Sequence, residues 1–374
     1  MRTALQIALT LAVVAAGVWV SAKFVNSSAE AAAGTVSHDQ LRKQIVSALS
    51  QRLGTLQITY TGNQTTMKAE ILDLLDSAVR SDDYLHYIVK KYGYNASIRG
   101  NKATVTFSFT YWETLAQTTE VKTRIAAALK RIIVPGMNDH QKEKAIHDWI
   151  VTNVAYDTRL VSYSAYDGIV KGKTVCQGYA LLTYEMMRQA GIPVKIVEGT
   201  SRGIAHTWNL VQIGGKWYQL DTTWDDPIPD VKGRTTYNYY NLTDAQLMPD
   251  HKWKPQTAYP AAVTPYDQTL TALISKDAAR KTFYQQMFKE LGFLYLTDAY
   301  TATSVKELNG KIRTATSLGL KELVIRYTGG VTYRTDLKKA FADIDGLSGY
   351  SYTAEDLPRT SANDKLLRIT FKYS

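Results

Sequence analysis

The chain of 374 residues holds one cysteine, Cys176. It sits in Gly172-Lys173-Thr174-Val175-Cys176-Gln177-Gly178-Tyr179-Ala180-Leu181-Leu182, where helical spacing begins after Thr174 and stops at Gly191-Ile192-Pro193. Thr174 reads as the N-cap, which places Cys176 in the first helical turn. There the helix dipole and free backbone N–H groups favour a thiolate over a thiol. The same N–H groups could receive an oxyanion. The plain alternative is a small buried apolar residue, but an inert core cysteine has no reason to prefer a helix start.

A base for that sulfur is read from the segment His206 to Asp221. Two alternating runs flank Gly214-Gly215, the signal of a two-residue hairpin. If Ile213 faces Lys216, His206 faces Thr223 and Trp208 faces Asp221. His206 and Asp221 are then diagonal neighbours on one face, with Cα atoms roughly 7–8 Å apart, within reach of an imidazole–carboxylate hydrogen bond. Asp221 would fix the His206 tautomer and steady its positive charge. The competing reading is a surface His beside a surface Asp.

The other histidines carry less. His140 and His147 share one face of a predicted helix, have no partnering Cys or acid cluster, and read as solvated rather than metal-ligating. His251 follows Asp250 and precedes Trp253; it either supports the site from a loop or does nothing. H-E-x-x-H, P-loop and G-x-G-x-x-G motifs are absent from the sequence, so metallohydrolase, nucleotide and dinucleotide chemistry have no support. No metal or organic cofactor is expected.

These residues need elements to position them. Thr118 to Ile133 reads as a helix ended by Pro135-Gly136, and Asn138 or Asp139 caps a second helix over Lys142 to Thr152. Residues 118–255 form the expected main domain, Lys254 to Pro265 a linker, and 275–291 one more helix. Outside the centre lies a repeat. Ser37 to Gly62 aligns without gaps on Ser304 to Gly329, matching Leu41 with Leu308, Ile45 with Ile312, Ala48 with Ala315, Ile58 with Ile325, and Tyr60-Thr61-Gly62 with Tyr327-Thr328-Gly329. Each copy reads helix, strand, helix (about 65–80 and 332–343), strand, the last being Thr104 to Phe109 and Leu367 to Tyr373. Two copies are too few for a solenoid. The expected fold class is therefore α+β, with modules at 37–112 and 270–374 bracketing the centre.

Composition bounds the rest. The chain is 45% hydrophobic and 21% charged, ordinary for a globular protein and unlike a disordered or collagen-like chain. Its length favours two or three domains. The formal net charge is +10, yet no run of five Lys or Arg occurs, and nucleic-acid binding has no motif behind it. Met1-Arg2, an apolar stretch Ala4 to Val20 and small residues up to Ala33 read as a secretory signal peptide over residues 1–33, with an uncleaved membrane anchor as the alternative. For an exported chain, an anionic cell-wall polymer is the natural partner of the positive charge. A single cysteine then forms no intramolecular disulfide. Oligomeric state is not legible.

Asn138 to Trp253 resembles the transglutaminase-like superfamily in its bacterial exported form. The resemblance is carried by Glu143-Lys144-Ala145-Ile146-His147-Asp148-Trp149, Val154-Ala155-Tyr156-Asp157, Val175-Cys176-Gln177-Gly178-Tyr179-Ala180, His206-Thr207-Trp208-Asn209 and Trp217-Tyr218-Gln219-Leu220-Asp221-Thr222-Thr223-Trp224-Asp225-Asp226-Pro227. It covers about a third of the chain and leaves the flanking repeats outside. It implies a papain-like core with Cys176, His206 and Asp221 catalytic, and a thioester formed from a carboxamide or peptide. Water as acceptor makes a peptidase or amidase acting on proteins or peptidoglycan peptides; an amine makes a crosslinking enzyme. Animal crosslinking members commonly carry a Trp before the Cys, where Val175 stands here. Tyr166 is the candidate second oxyanion donor, with Gln177 nearer in sequence but free to point away. Tyr179, Trp208 and Trp224 are expected in the cleft walls. A non-catalytic envelope scaffold is the rival from another class.

Overall fold

The computed structural model describes residues 18–20, 37–63, 65–226, 228–231, 233–254, 259–357, 360 and 364–374. The signal-peptide reading falls outside these residues, apart from Val18–Val20, as does part of the linker, 255–258. Among the described residues no helix is long and apolar enough to cross a membrane. The chain divides into two units, Met1–Thr235 with Asp250–Pro260, and Thr236–Pro249 with Ala261–Ser374.

The first unit begins with β1 (Val18–Val20), α1 (His38–Ser50), β2 (Thr55–Thr61), α2 (Met67–Val79), α3 (Asp83–Ile88), β3 (Val89–Arg99) and β4 (Lys102–Tyr111). A Ser37–Gln40 capping box starts α1, and Leu41, Ile45, Ala48 and Leu49 form its buried stripe. The sheet order is β1-β3-β4-β2. Along the central strand Ala103, Val105, Phe107 and Phe109 point inward in strict alternation. The sequence reading lacks β3, although Tyr92, Tyr94, Ala96 and Ile98 alternate with Lys91, Gly93, Asn95 and Ser97; the strand pairs with β4 from Val89 to Arg99.

The same unit continues with α4 (Leu115–Ile132), α5 (Asp139–Asn153), β5 (Ala155–Tyr156), α6 (Ala165–Lys171), β6 (Lys173–Thr174), α7 (Cys176–Gln189), β7 (Val194–Ser201), β8 (Ile204–Ile213) and β9 (Lys216–Leu220). After α8 (Asp244–Leu247), which groups with the second unit, comes β10 (His251–Trp253). The strands form an antiparallel sheet β10-β7-β8-β9. Every α7 side chain from Gly178 to Met187 is buried, because the helix runs between α4, α5 and α6 and the sheet. The hairpin forms as the spacing predicts: Gly214 and Gly215 take φ of 58° and 78°, and Ile213 pairs with Lys216.

The second unit contains α9 (Tyr266–Lys276), α10 (Lys281–Glu290), β11 (Thr301–Ala302), α11 (Val305–Ser317), β12 (Glu322–Tyr327), α12 (Tyr333–Ala340), β13 (Leu347–Asp356) and β14 (Lys365–Tyr373). The single helix expected over 275–291 is two, broken where Asp277 leaves helical backbone and its carboxylate accepts the Arg280 N–H. The sheet order is β11-β12-β14-β13, over a core that includes Leu308, Ile312, Ile325, Leu337, Leu367 and Ile369. The sequence reading also lacks β13, the edge strand.

Candidate active site

Cys176 is the first residue of α7 and is 1% exposed. The N-cap is Val175 rather than Thr174, and no side chain caps the helix. The Thr174 hydroxyl is drawn away toward the carbonyls of Ser162 (3.0 Å) and Ser164 (3.3 Å). A Cβ on Gly178 would come within 1.8 Å of that hydroxyl and 2.7 Å of the Ser164 carbonyl. Only glycine lets β6 press this closely on the first turn of α7, and that contact holds the turn carrying the sulfur.

The Cys176 side chain is close enough to the His206 ring to help raise its pKa. His206 Nε2–H donates to Asp221 Oδ2 at 2.6 Å, so Nδ1 is the nitrogen left to face the sulfur. The ladder between β8 and β9 ends at Asn209 and Leu220. Asp221 is therefore aimed by a local turn rather than by strand pairing: its Oδ1 accepts the N–H groups of Thr223 (3.0 Å) and Trp224 (3.1 Å). Burial opposes a charged His206, but the Asp221 carboxylate and then the Cys176 thiol outweigh it and raise its pKa to about 10. Burial also opposes ionised Asp221, yet His206 and His251 hold its carboxyl well below the usual range.

His251 lies on β10, opposite Ser201 of β7, and is fully buried. Its Nε2–H donates to the same Asp221 Oδ2 (3.1 Å), and its Nδ1–H donates to Asp250 Oδ1 (2.6 Å). His206, Asp221 and His251 are the set among the described residues whose ligand-type atoms all lie within 4.8 Å of one another. Both Nε2 atoms are directed at one carboxylate oxygen, which makes the set a hydrogen-bonded chain.

The remaining sequence candidates divide. Trp208 is buried and stacks on the His206 ring at 5.8 Å and 17°, held by its Nε1–H on Gln219 Oε1 (2.7 Å); it backs the imidazole rather than lining a cleft. Tyr179 is buried too, its hydroxyl against the Val154 carbonyl (3.0 Å) and the Asp226 carboxyl. Burial, opposed by the Tyr179 hydrogen bond and reinforced by Asp230, raises the Asp226 pKa to about 7. Trp224 is half-buried, edge-on to His206 at 6.4 Å, with the Arg202 guanidinium 4.3 Å over its ring. At Tyr166 the backbone N–H donates to Glu113 (2.9 Å) and the Lys171 ammonium lies 5.6 Å over the ring. The Gln177 amide donates to the carbonyls of Tyr87 (2.9 Å) and Tyr163 (3.1 Å), so it serves as a tether.

Sequence reasoning missed two phenols on which Cys176 acts electrostatically. Burial first, then the Cys176 charge, pushes up the pKa of both Tyr156 and Tyr163. Tyr163 stacks on Trp112 at 4.5 Å, and the Lys90 ammonium lies 4.2 Å over that indole. The Val-Ala-Tyr-Asp motif held a signal for Tyr156; Tyr163 carried none. His140 and His147 are buried, contrary to the solvated reading. His147 bridges Asp148 (3.0 Å) and Asp225 (3.1 Å), and Asp225 is distant in sequence, which hid the pairing.

The segment that holds Cys176, His206 and Asp221 is similar to known proteins. Residues 126–222 match the model of the transglutaminase-like superfamily, and this part of the chain is a transglutaminase-like domain. The kyphoscoliosis peptidase of Mus musculus is 28% identical over 159 residues, 35% of this chain and 24% of that relative. The Homo sapiens kyphoscoliosis peptidase is 30% identical over 141 residues, 30% of this chain and 21% of that relative. The match thus spans a quarter or less of the length of these relatives. Among solved structures, LapG of Legionella pneumophila is 12% identical, with 46% of this chain and 94% of that chain covered at a TM-score of 0.26.

Proposed function

We propose that the chain is an exported, cysteine-dependent acyl-transfer enzyme that hydrolyses peptide or carboxamide bonds at the bacterial cell envelope. The observation that carries the reading is a histidine bonded to Asp221 and acted on by Cys176, the first residue of a buried helix. The Cys176 thiolate attacks the carbonyl carbon, and the oxyanion meets the Cys176 N–H at the open end of α7. His206 gives its Nδ1 proton to the leaving nitrogen, whose bond to carbon breaks, leaving a thioester. Water then attacks, passing a proton to His206; the acid leaves and the sulfur is restored as thiolate beside a protonated ring. Asp221 keeps the imidazolium aimed throughout.

The peptidase name of the matched relatives supports water as acceptor over an amine, and so does Val175 in the place of a Trp. Crosslinking remains the alternative acceptor chemistry. The flanking modules are proposed as two copies of one repeat, and the +10 charge as a match for an anionic wall polymer. The deciding experiment offers casein-like and wall-peptide amides to the wild type and to Cys176→Ala, measuring new amine termini, ammonia release and labelled-amine incorporation. New termini or ammonia from the wild type alone support hydrolysis, and amine incorporation transfers the reading to crosslinking. Identical products from both proteins would leave only an envelope scaffold.

A further inference from the structure

His251 has no place in the three-residue mechanism, yet it is fully buried against it. Both of its ring nitrogens meet carboxylate oxygens, Asp221 Oδ2 at 3.1 Å and Asp250 Oδ1 at 2.6 Å. Ionised carboxylates only accept, so each nitrogen must carry a hydrogen and the ring is an imidazolium. Asp221 Oδ2 is thereby shared between two cationic rings whose centroids are 5.4 Å apart. The surroundings leave little room for adjustment. Trp208 packs edge-on to His251 at 5.1 Å and Trp224 at 6.5 Å. Among the described residues, the charged groups around the ring include Asp250 on its own segment, Asp221 after β9, His206 on β8 with Cys176 beyond it, and Arg202 in the turn between β7 and β8, 3.7 Å from Asp250.

Building on the thiol-enzyme reading, we propose that His251, held by Asp250, is a positioning residue that fixes Asp221 Oδ2 and offsets part of its charge as felt by His206. A lone Asp221 would hold the His206 proton harder. The shared one lets that proton go to the leaving nitrogen at a lower pH and favours the thiolate. Burial works against a charged His251, but the hydrogen bonds to Asp221 and Asp250 raise its pKa, in line with the proton count.

The test uses the full chain and the fact that Cys176 is its only cysteine, so iodoacetamide consumption reports one sulfur. The rate is followed from pH 4 to 10 for wild type, His251→Gln and Asp250→Asn, with circular dichroism to confirm folding. Gln can still donate to Asp221 but carries no charge. Removing a unit charge at the observed ring separation, screened by Asp221 and Asp250, moves the acid limb of the profile upward by about one pH unit. Asp250→Asn moves it the same way by less, because His251 then surrenders its charge more readily. It serves as the second variant should His251→Gln not fold. A limb that stays in place in the folded variant, with the rate lowered equally at every pH, reduces His251 to packing and overturns the inference. A wild type with no thiolate limb below pH 8 overturns the thiol-enzyme reading and this inference with it. A wild-type limb that the variants leave unmoved overturns this inference alone.

Discussion

Replacing His147 by Gln should remove most of one pH-dependent contribution to stability. The ring is fully buried in α5 and bridges Asp148 and Asp225. Burial disfavours its charge, but the two carboxylates prevail and raise its pKa from 6.5 to about 9. Between these values the folded chain keeps a proton that the unfolded chain releases. The stabilisation is therefore complete below pH 6.5 and is lost as pH rises through 9. The difference of about 2.5, at ~1.4 kcal/mol per pH unit, sets an order-of-magnitude contribution of ~3 kcal/mol. Urea unfolding at pH 6 and pH 10 measures it: the gap between wild type and His147→Gln should narrow by about that amount at the higher pH. Amide hydrolysis should fall as well, because Asp225 closes the turn that aims Asp221. A gap equal at both pH values would refute the ion-pair reasoning and leave His147 as a neutral packing residue.

Asp221→Asn should lower kcat by roughly 10³- to 10⁴-fold with little change in KM, as loss of the orienting carboxylate does in other triads; near-normal turnover in a hydrolysis assay would remove Asp221 from the mechanism. Asp226→Asn should raise stability at pH 8 and leave it unchanged below pH 3.8. Burial puts the folded pKa at about 7, so the native state binds its proton more tightly, and the stabilisation present at low pH is lost as pH rises through 7. Thermal melts at pH 3.5 and 8 check the sign, and a destabilised variant at pH 8 would contradict it. The same proton is expected from geometry, since one Tyr179 hydroxyl hydrogen cannot serve both the Val154 carbonyl and an ionised Asp226.

What the sequence made legible was local. Gly214-Gly215 set the register of one hairpin, and counting back from that turn brought His206 toward Asp221. The spacing after Thr174 located the helix that begins at Cys176. What stayed hidden depended on partners far along the chain. Thr174 lost its capping role to carbonyls of the loop before α6, and His147 found Asp225 across the domain. His251 gained meaning only when β10 paired with β7 and brought it beneath Asp221. The strands β3 and β13 were missed although both alternate, with Tyr92, Tyr94, Ala96 and Ile98 in one and Tyr350, Tyr352 and Ala354 in the other; they pair with β4 and β14.

Gln177, immediately after Cys176, hangs from the Tyr87 carbonyl, and Glu113 ties Tyr84 to the Tyr166 backbone at the head of α6. A chain severed near Thr114 would leave that glutamine with the Tyr163 carbonyl alone and release the Tyr166 backbone from Glu113. Grafting residues 118–255 onto a new scaffold should therefore yield a folded but crippled thiol centre. The amino-terminal layer is part of the mould around Cys176.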